Sequence, residues 1–163
     1  MAIKVSIYED NNTLRESLTY LIRGAAGLEF CSASPSAVEI LEQCEEHQPD
    51  IILMDIDMPG ITGIEATRLV KNKFPDINVM ILTVFEDKEK IFEALCAGAT
   101  GYLLKKTPSS QIIESIEELY RAVRLSAAAS HAKCSNILPR PMGAPGRIPI
   151  NSPHVKSISS NAL

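Results

Sequence analysis

Apolar and polar positions along the first 120 residues follow two alternating periods. Five short stretches are rich in β-branched and other apolar residues and end in polar or turn-forming ones: residues 3–8, 28–33, 50–55, 79–83 and 101–105. Apolar runs of this length, bounded by turn signals, predict strands buried on both faces of a parallel sheet. Between them the apolar residues recur at helical spacing. Leu14, Leu18, Leu21, Ile22 and Ala25 form one face of a first helix, with Asn11 or Asn12 as its cap and Gly24 and Gly27 at its end. Ser34-Pro35 predicts a cap followed by a proline in the first turn, opening a second helix to about residue 46 that buries Val38, Ile40, Leu41 and Cys44. Thr62-Gly63-Ile64-Glu65 has the capping-box pattern and opens a third helix to about residue 74. A charged fourth helix is predicted over 86–97, stopping at Gly98. Thr107-Pro108 repeats the cap-then-proline signal for a fifth, with Ile112, Ile113, Ile116 and Leu119 on one face. Five strands alternating with five helices predict a doubly wound α/β domain whose parallel sheet is covered on both sides.

In such a sheet the carboxyl ends of the strands share one edge, where ligands bind. Glu9, Asp10, Asp55, Thr83 and Lys105 each fall at or just after a predicted strand end. Any one of them alone reads as a solvated loop carboxylate, a strand residue or a surface lysine. Together they place three carboxylates, a hydroxyl and an ammonium at one edge. A hard divalent cation such as Mg²⁺ takes oxygen ligands, which Glu9, Asp10 and Asp55 can supply, with a backbone carbonyl just after Asp55 as a further one. Asp55 is expected to attack a phosphoryl donor and form an acyl phosphate, whose oxygens Thr83 and Lys105 would bind.

Charge divides the chain. Up to Glu118 there are ten basic residues against all 20 acidic ones; after it come six basic residues, no acidic ones and five of the ten prolines. The boundary is drawn at residue 122, with 123–163 expected to be a basic, Pro- and Ser-rich disordered tail. No apolar run approaches bilayer length, and the amino terminus enters a strand pattern directly, so no membrane span or signal peptide is expected and the chain is placed in the cytoplasm. Cys31, Cys44, Cys96 and Cys134 have no metal-ligand spacing and read as reduced structural thiols.

Residues 3–120 resemble the receiver (CheY-like) domain of two-component response regulators. The resemblance lies in the acidic pair Glu9-Asp10, the Asp55-x-x-Met58-Pro59-Gly60 segment, Thr83 and Gly101-Tyr102-Leu103-x-Lys105. The run from Ala94 to Lys105 is similar to the NarL/FixJ (LuxR) subfamily in particular. The resemblance implies a flavodoxin-like fold with strand order 2-1-3-4-5, phosphorylation of Asp55 by a sensor histidine kinase with Mg²⁺, and a backbone-carbonyl ligand from Asp57. It also implies that Thr83 and Tyr102 switch the face made by the fourth helix, fifth strand and fifth helix, with a phosphorylation-dependent homodimer as one outcome. Read without the family, Tyr102 is a core aromatic. Asp57, Val84 and Phe85 occupy positions that tune hydrolysis in the family, and Val84, bulkier than the usual residue there, is expected to narrow access to the phosphoryl group. Lys106, where many relatives have proline, leaves no cis bond expected after Lys105. The domain is expected to be a phosphoacceptor rather than an enzyme, beyond self-phosphorylation from small donors and autodephosphorylation.

The subfamily continues into a DNA-binding helix-turn-helix, for which the tail carries no pattern. Codons can be chosen for residues 127–138 such that one shifted reading frame encodes a segment similar to the family's linker, so the tail is expected to be a frameshifted remnant of a linker and DNA-binding domain. Two other outputs stay open: a stand-alone receiver acting by protein contacts, and a basic tail that binds nucleic acid nonspecifically. The alternative class is a Mg²⁺-dependent phosphatase with an aspartate nucleophile, in which Asp57 would be a second acid two residues on.

Overall fold

The structure, a computed structural model, describes residues 1–84 and 88–129. Its strands are β1 (Ile3–Tyr8), β2 (Leu28–Ser34), β3 (Ile51–Asp55), β4 (Asn78–Thr83) and β5 (Gly101–Leu104). The helices between and after them are α1 (Asn12–Gly24), α2 (Ile40–His47), α3 (Gly63–Lys73), α4 (Lys88–Cys96) and α5 (Ser109–Ala129). All strand pairs are parallel, in the order β2-β1-β3-β4-β5, the flavodoxin-like receiver order the sequence implied.

Period-two alternation sorts the strand residues into two cores. Ile52, Met54, Val79 and Ile81 pack with Ile40 and Cys44 of α2, Ile64 and Val70 of α3 and Ala94 of α4. Val5, Ile7, Ile51, Leu53, Met80, Leu82 and Leu103 pack with Leu18 and Ile22 of α1 and Ile112, Ile116 and Leu119 of α5. Every residue of β3 is buried, which explains its unbroken apolar run. The buried Tyr8 hydroxyl donates to Gln43 Oε1 at 2.8 Å. Cys31, Cys44 and Cys96 are free thiols, and burial pushes Cys44 up to about 11. Cys134 lies outside the described residues. Among the described residues there is no cis peptide bond and no helix long and apolar enough to cross a membrane.

Helix ends follow the local chemistry, with two departures. Asn11 caps α1 by accepting from the Leu14 N–H, and Thr62 with Glu65 forms the full capping box of α3. The second helix, however, does not begin at Pro35. Ser34 belongs to β2 and α2 starts at Ile40, leaving Val38 64% exposed. The hydroxyls explain this. Ser34 Oγ donates to the Ser36 carbonyl and accepts from its N–H, while Ser36 Oγ donates to the Pro59 carbonyl at 3.3 Å. These bonds give the backbone an alternative to the helix and tie it to the loop after β3. The fifth helix also runs on to Ala129, past the boundary drawn at residue 122. Apolar periodicity reports burial, and it fades after the half-buried Val123. The exposed run from Arg124 to Ala127 continues as helix without apolar burial, Arg124 donating back to the Tyr120 hydroxyl at 2.9 Å. The expected disordered tail and its frameshift origin otherwise fall outside the described residues.

Gly63 is the most closely enclosed of the described glycines. A Cβ there would lie 1.9 Å from the Asp55 carbonyl oxygen and 2.8 Å from its carbon, so the first turn of α3 rests on the backbone of Asp55 itself. Its N–H donates to the Ile56 carbonyl at 2.8 Å. Gly24, at the end of α1, has nothing within 4 Å of its would-be Cβ. Gly63→Ala is therefore expected to destabilise the chain by more than about 2 kcal/mol in urea denaturation, because backbone must move. Gly24→Ala is expected to be neutral or to stabilise by up to ~1 kcal/mol.

Candidate functional site

Four of the residues singled out above converge at the carboxyl edge of the sheet. Glu9 and Asp10 leave the end of β1, Asp55 ends β3, and Lys105 follows β5. The Lys105 N–H donates to the Thr83 carbonyl at 2.8 Å, extending the β4–β5 ladder and fixing where the lysine departs. Its ammonium lies 2.9 Å from Asp55 Oδ2, 2.9 Å from Glu9 Oε2 and 3.0 Å from Glu9 Oε1. The lysine side chain is 16% exposed; those of Glu9 and Asp55 are 0% and 6% exposed. Asp10 is exposed, and carboxylate oxygens of Glu9, Asp10 and Asp55 all lie within 4.8 Å of one another.

Burial pushes the Glu9 carboxyl above the usual range, against the hydrogen bond from Lys105, with the nearby Asp55 charge adding to the rise. Burial does the same to Asp55; the Lys105 hydrogen bond and charge and the Asp57 N–H oppose it, while Asp10 reinforces it. For Lys105 burial acts downward, but hydrogen bonds and charges from Glu9 and Asp55 outweigh it and hold the ammonium above its usual value. Glu9 Oε1 also accepts from the Asn11 N–H at 3.1 Å, whereas Oε2, though ion-paired, is buried without a hydrogen-bond partner among the described residues. Three carboxylates against one ammonium, with a buried oxygen left short of a donor, form a site that fits a hard divalent cation.

The other expected site residues stand around this cluster. Thr83 is buried at the end of β4, on the same face of its strand as Val79 and Ile81. Tyr102 pairs in register with Ile81 and packs, half-buried, against the core on that face, so Thr83 and Tyr102 sit one step apart on neighbouring strands, facing the α4 side. Val84 is 58% exposed. Asp57 turns outward, its carboxylate taking Lys90 of α4 at 2.9 and 3.2 Å with the side chain 76% exposed. Phe85 lies outside the described residues. Gly63 beneath Asp55, Lys90 on Asp57 and Arg15 on the β1–α1 loop were not singled out from sequence. Only Gly63 left a signal there, as a glycine inside a capping box, where better helix formers are usual.

Residues 5–117 match the family model described as the response regulator receiver domain, and the chain belongs to that family. It is 33% identical over 120 residues to the oxygen regulatory protein NreC of Staphylococcus carnosus, an alignment covering 73% of this chain and 55% of that protein. It is 38% identical over 114 residues to the transcriptional regulatory protein LnrK of Bacillus subtilis, covering 70% of this chain and 52% of that protein. The chain thus spans about half the length of the curated relatives it matches. Among solved structures it is similar to a LuxR-family DNA-binding response regulator from Staphylococcus aureus, with TM-score 0.68, 27% identity, and 72% and 98% of the two chains covered. A LuxR-family two-component response regulator from Aurantimonas matches with TM-score 0.70, 25% identity, and 80% and 99% covered. Residues 5–117 thus form a receiver domain of the two-component type, with LuxR-family regulators among the similar proteins.

A group whose pKa is raised by folding stabilises the fold when protonated and loses that contribution as pH rises through the folded value. Asp55, whose carboxyl pKa is raised chiefly by burial, is such a group. Asp55→Asn is expected to raise the melting temperature of the metal-free chain at pH 7 by about 2–4 °C, the shift that ~1 kcal/mol gives a domain of this size. The gain should shrink as pH falls and the parent carboxyl takes up its proton. A parent more stable than the variant at pH 7 would contradict the electrostatic assignment.

Proposed function

We propose that Asp55 accepts a phosphoryl group from a sensor histidine kinase, making the chain a switchable receiver rather than an enzyme. The observation that carries this reading is the Lys105 ammonium, 2.9 Å from both Asp55 and Glu9 within the three-carboxylate cluster. Glu9, Asp10, Asp55 and the backbone carbonyl of Asp57 would hold Mg²⁺. Once bound, the cation neutralises charge between an anionic nucleophile and an anionic phosphoryl donor.

A carboxylate oxygen of Asp55 attacks phosphorus in line. A P–O bond to Asp55 forms, the P–N bond to the donor histidine breaks, and the electron pair leaves on the imidazole nitrogen. Lys105, already paired with Asp55, stays as counter-charge to the new phosphoryl oxygens, and the Thr83 hydroxyl donates to another. Movement of Thr83 toward that group would vacate space on the α4 side of the sheet, where Tyr102 stands one step away in register, and Tyr102 would turn inward. The α4–β5–α5 face then changes shape, as a protein-contact or dimerisation signal. Control of transcription is proposed from the LuxR-family relatives. Val84, Asp57 and Phe85 would set how fast water removes the phosphoryl group. The hydrolase alternative needs Asp57 as a free acid close to Asp55; its pairing with Lys90 gives that reading no support.

Incubation with Mg²⁺ and acetyl phosphate is expected to add one phosphoryl mass to the parent and none to Asp55→Asn, the adduct being cleaved by hydroxylamine. Equal labelling of the two proteins would remove Asp55 from the reaction, and steady turnover of a phosphate ester without an adduct would favour the hydrolase.

A further inference from the structure

Arg15 lies early in α1, a helix with no acidic residue in its first turn. A cation near a helix N-terminus meets the positive end of the macrodipole, so its placement must be favoured by something else. The guanidinium folds back over the helix start. Nη1 donates to the Glu9 carbonyl at 2.7 Å and to the Asp10 carbonyl at 3.3 Å, and Nη2 donates to the Asn12 side-chain oxygen. Glu9 and Asp10 lie beyond the β1–β3 pairing, whose register ends at Tyr8, so the sheet does not fix these two carbonyls on that side. Those carbonyls belong to the two residues whose carboxylates form the acidic cluster with Asp55.

We propose that Arg15 is a positioning residue for the divalent-cation site. It fixes the backbone of Glu9 and Asp10 so that their Cα–Cβ bonds aim both carboxylates at Asp55. The proposal rests on the reading of that cluster as a Mg²⁺ site. Among the described residues Arg15 forms no ion pair with a carboxylate of the cluster; it acts through main chain, as a rigid planar fork that a point charge does not replace. Two effects of removing it oppose each other. The lost positive charge favours a cation nearby, and the lost anchoring disfavours it. The carbonyl contacts leave the charge in place; on this proposal anchoring outweighs it, and Arg15→Lys, which keeps the charge, separates the two effects. Groups that orient metal ligands from behind change affinity by roughly 10–100-fold.

The test is Mg²⁺ titration by calorimetry on the full chain, comparing the parent with Arg15→Gln, Arg15→Lys and Asp10→Asn, alongside metal-free melting curves. Arg15→Gln is expected to weaken Mg²⁺ binding about tenfold while the metal-free protein still melts cooperatively. Arg15→Lys keeps the charge without the fork and is also expected to bind more weakly than the parent. Should Arg15→Gln fail to fold, Arg15→Lys carries the comparison. Parent-like or tighter binding by a folded Arg15 variant, with Asp10→Asn binding lost, overturns the Arg15 proposal alone. No Mg²⁺ binding by the parent overturns it together with the metal-site reading.

Discussion

One ammonium between two buried carboxylates is the contact on which the site depends. Lys105 and Glu9 are 96 residues apart in sequence, and Asp55 belongs to a third strand. The strand order sets β5 two strands from β3, a span of roughly 10 Å at the edge of the sheet. Only a long side chain crosses that distance, and it crosses over the end of β4, where Thr83 sits. The pairing therefore reports correct assembly of β1, β3, β4 and β5 together. Taking the lysine away would leave buried carboxylates without a counter-charge, a loss on the order of 3–5 kcal/mol for pairs of this kind.

The pairing is also incomplete, and its incompleteness carries the chemistry. Three carboxylates face one ammonium, burial disfavours ionisation of Glu9 and Asp55, and Glu9 Oε2, ion-paired to Lys105, has no further partner among the described residues. A purely structural ion pair would be better balanced. An acidic pocket with excess negative charge would gain stability from a bound divalent cation, and on the proposed reading an Asp55 already paired with Lys105 would keep that partner as an acyl phosphate. Below it, the missing Cβ of Gly63 allows α3 to seat against the Asp55 backbone, so Asp55 is held from behind as well as from the side. Each support comes from a different element, which is how a carboxylate at a strand end acquires a fixed position.

The fold was largely legible because burial on both sides of a parallel sheet writes itself into sequence as apolar runs of strand length, and β3 is the plainest case. The strand-end rule then brought Glu9, Asp10, Asp55 and Lys105 to one edge before any distance was known. What was not legible depends on contacts between distant backbones or on signals shared by two structures. Ser34-Pro35 suits a helix cap and a turn equally, and the Ser36 bond to the Pro59 carbonyl decided for the turn. The end of α5 was hidden because exposed helix has no apolar period. Nothing in the sequence says that Arg15 reaches two carbonyls behind it, or that Lys90 takes Asp57, since both pairings follow from how the loops fold.

The central claim is that Asp55 itself carries the phosphoryl group. Borohydride reduction of the acetyl-phosphate-treated chain, followed by peptide mass spectrometry, reads this directly, because an acyl phosphate on an aspartate is reduced to homoserine. The account predicts homoserine at position 55 alone, dependent on Mg²⁺. Reduction at Glu9, Asp10 or Asp57 with Asp55 unchanged, or none at all from labelled protein, would contradict it.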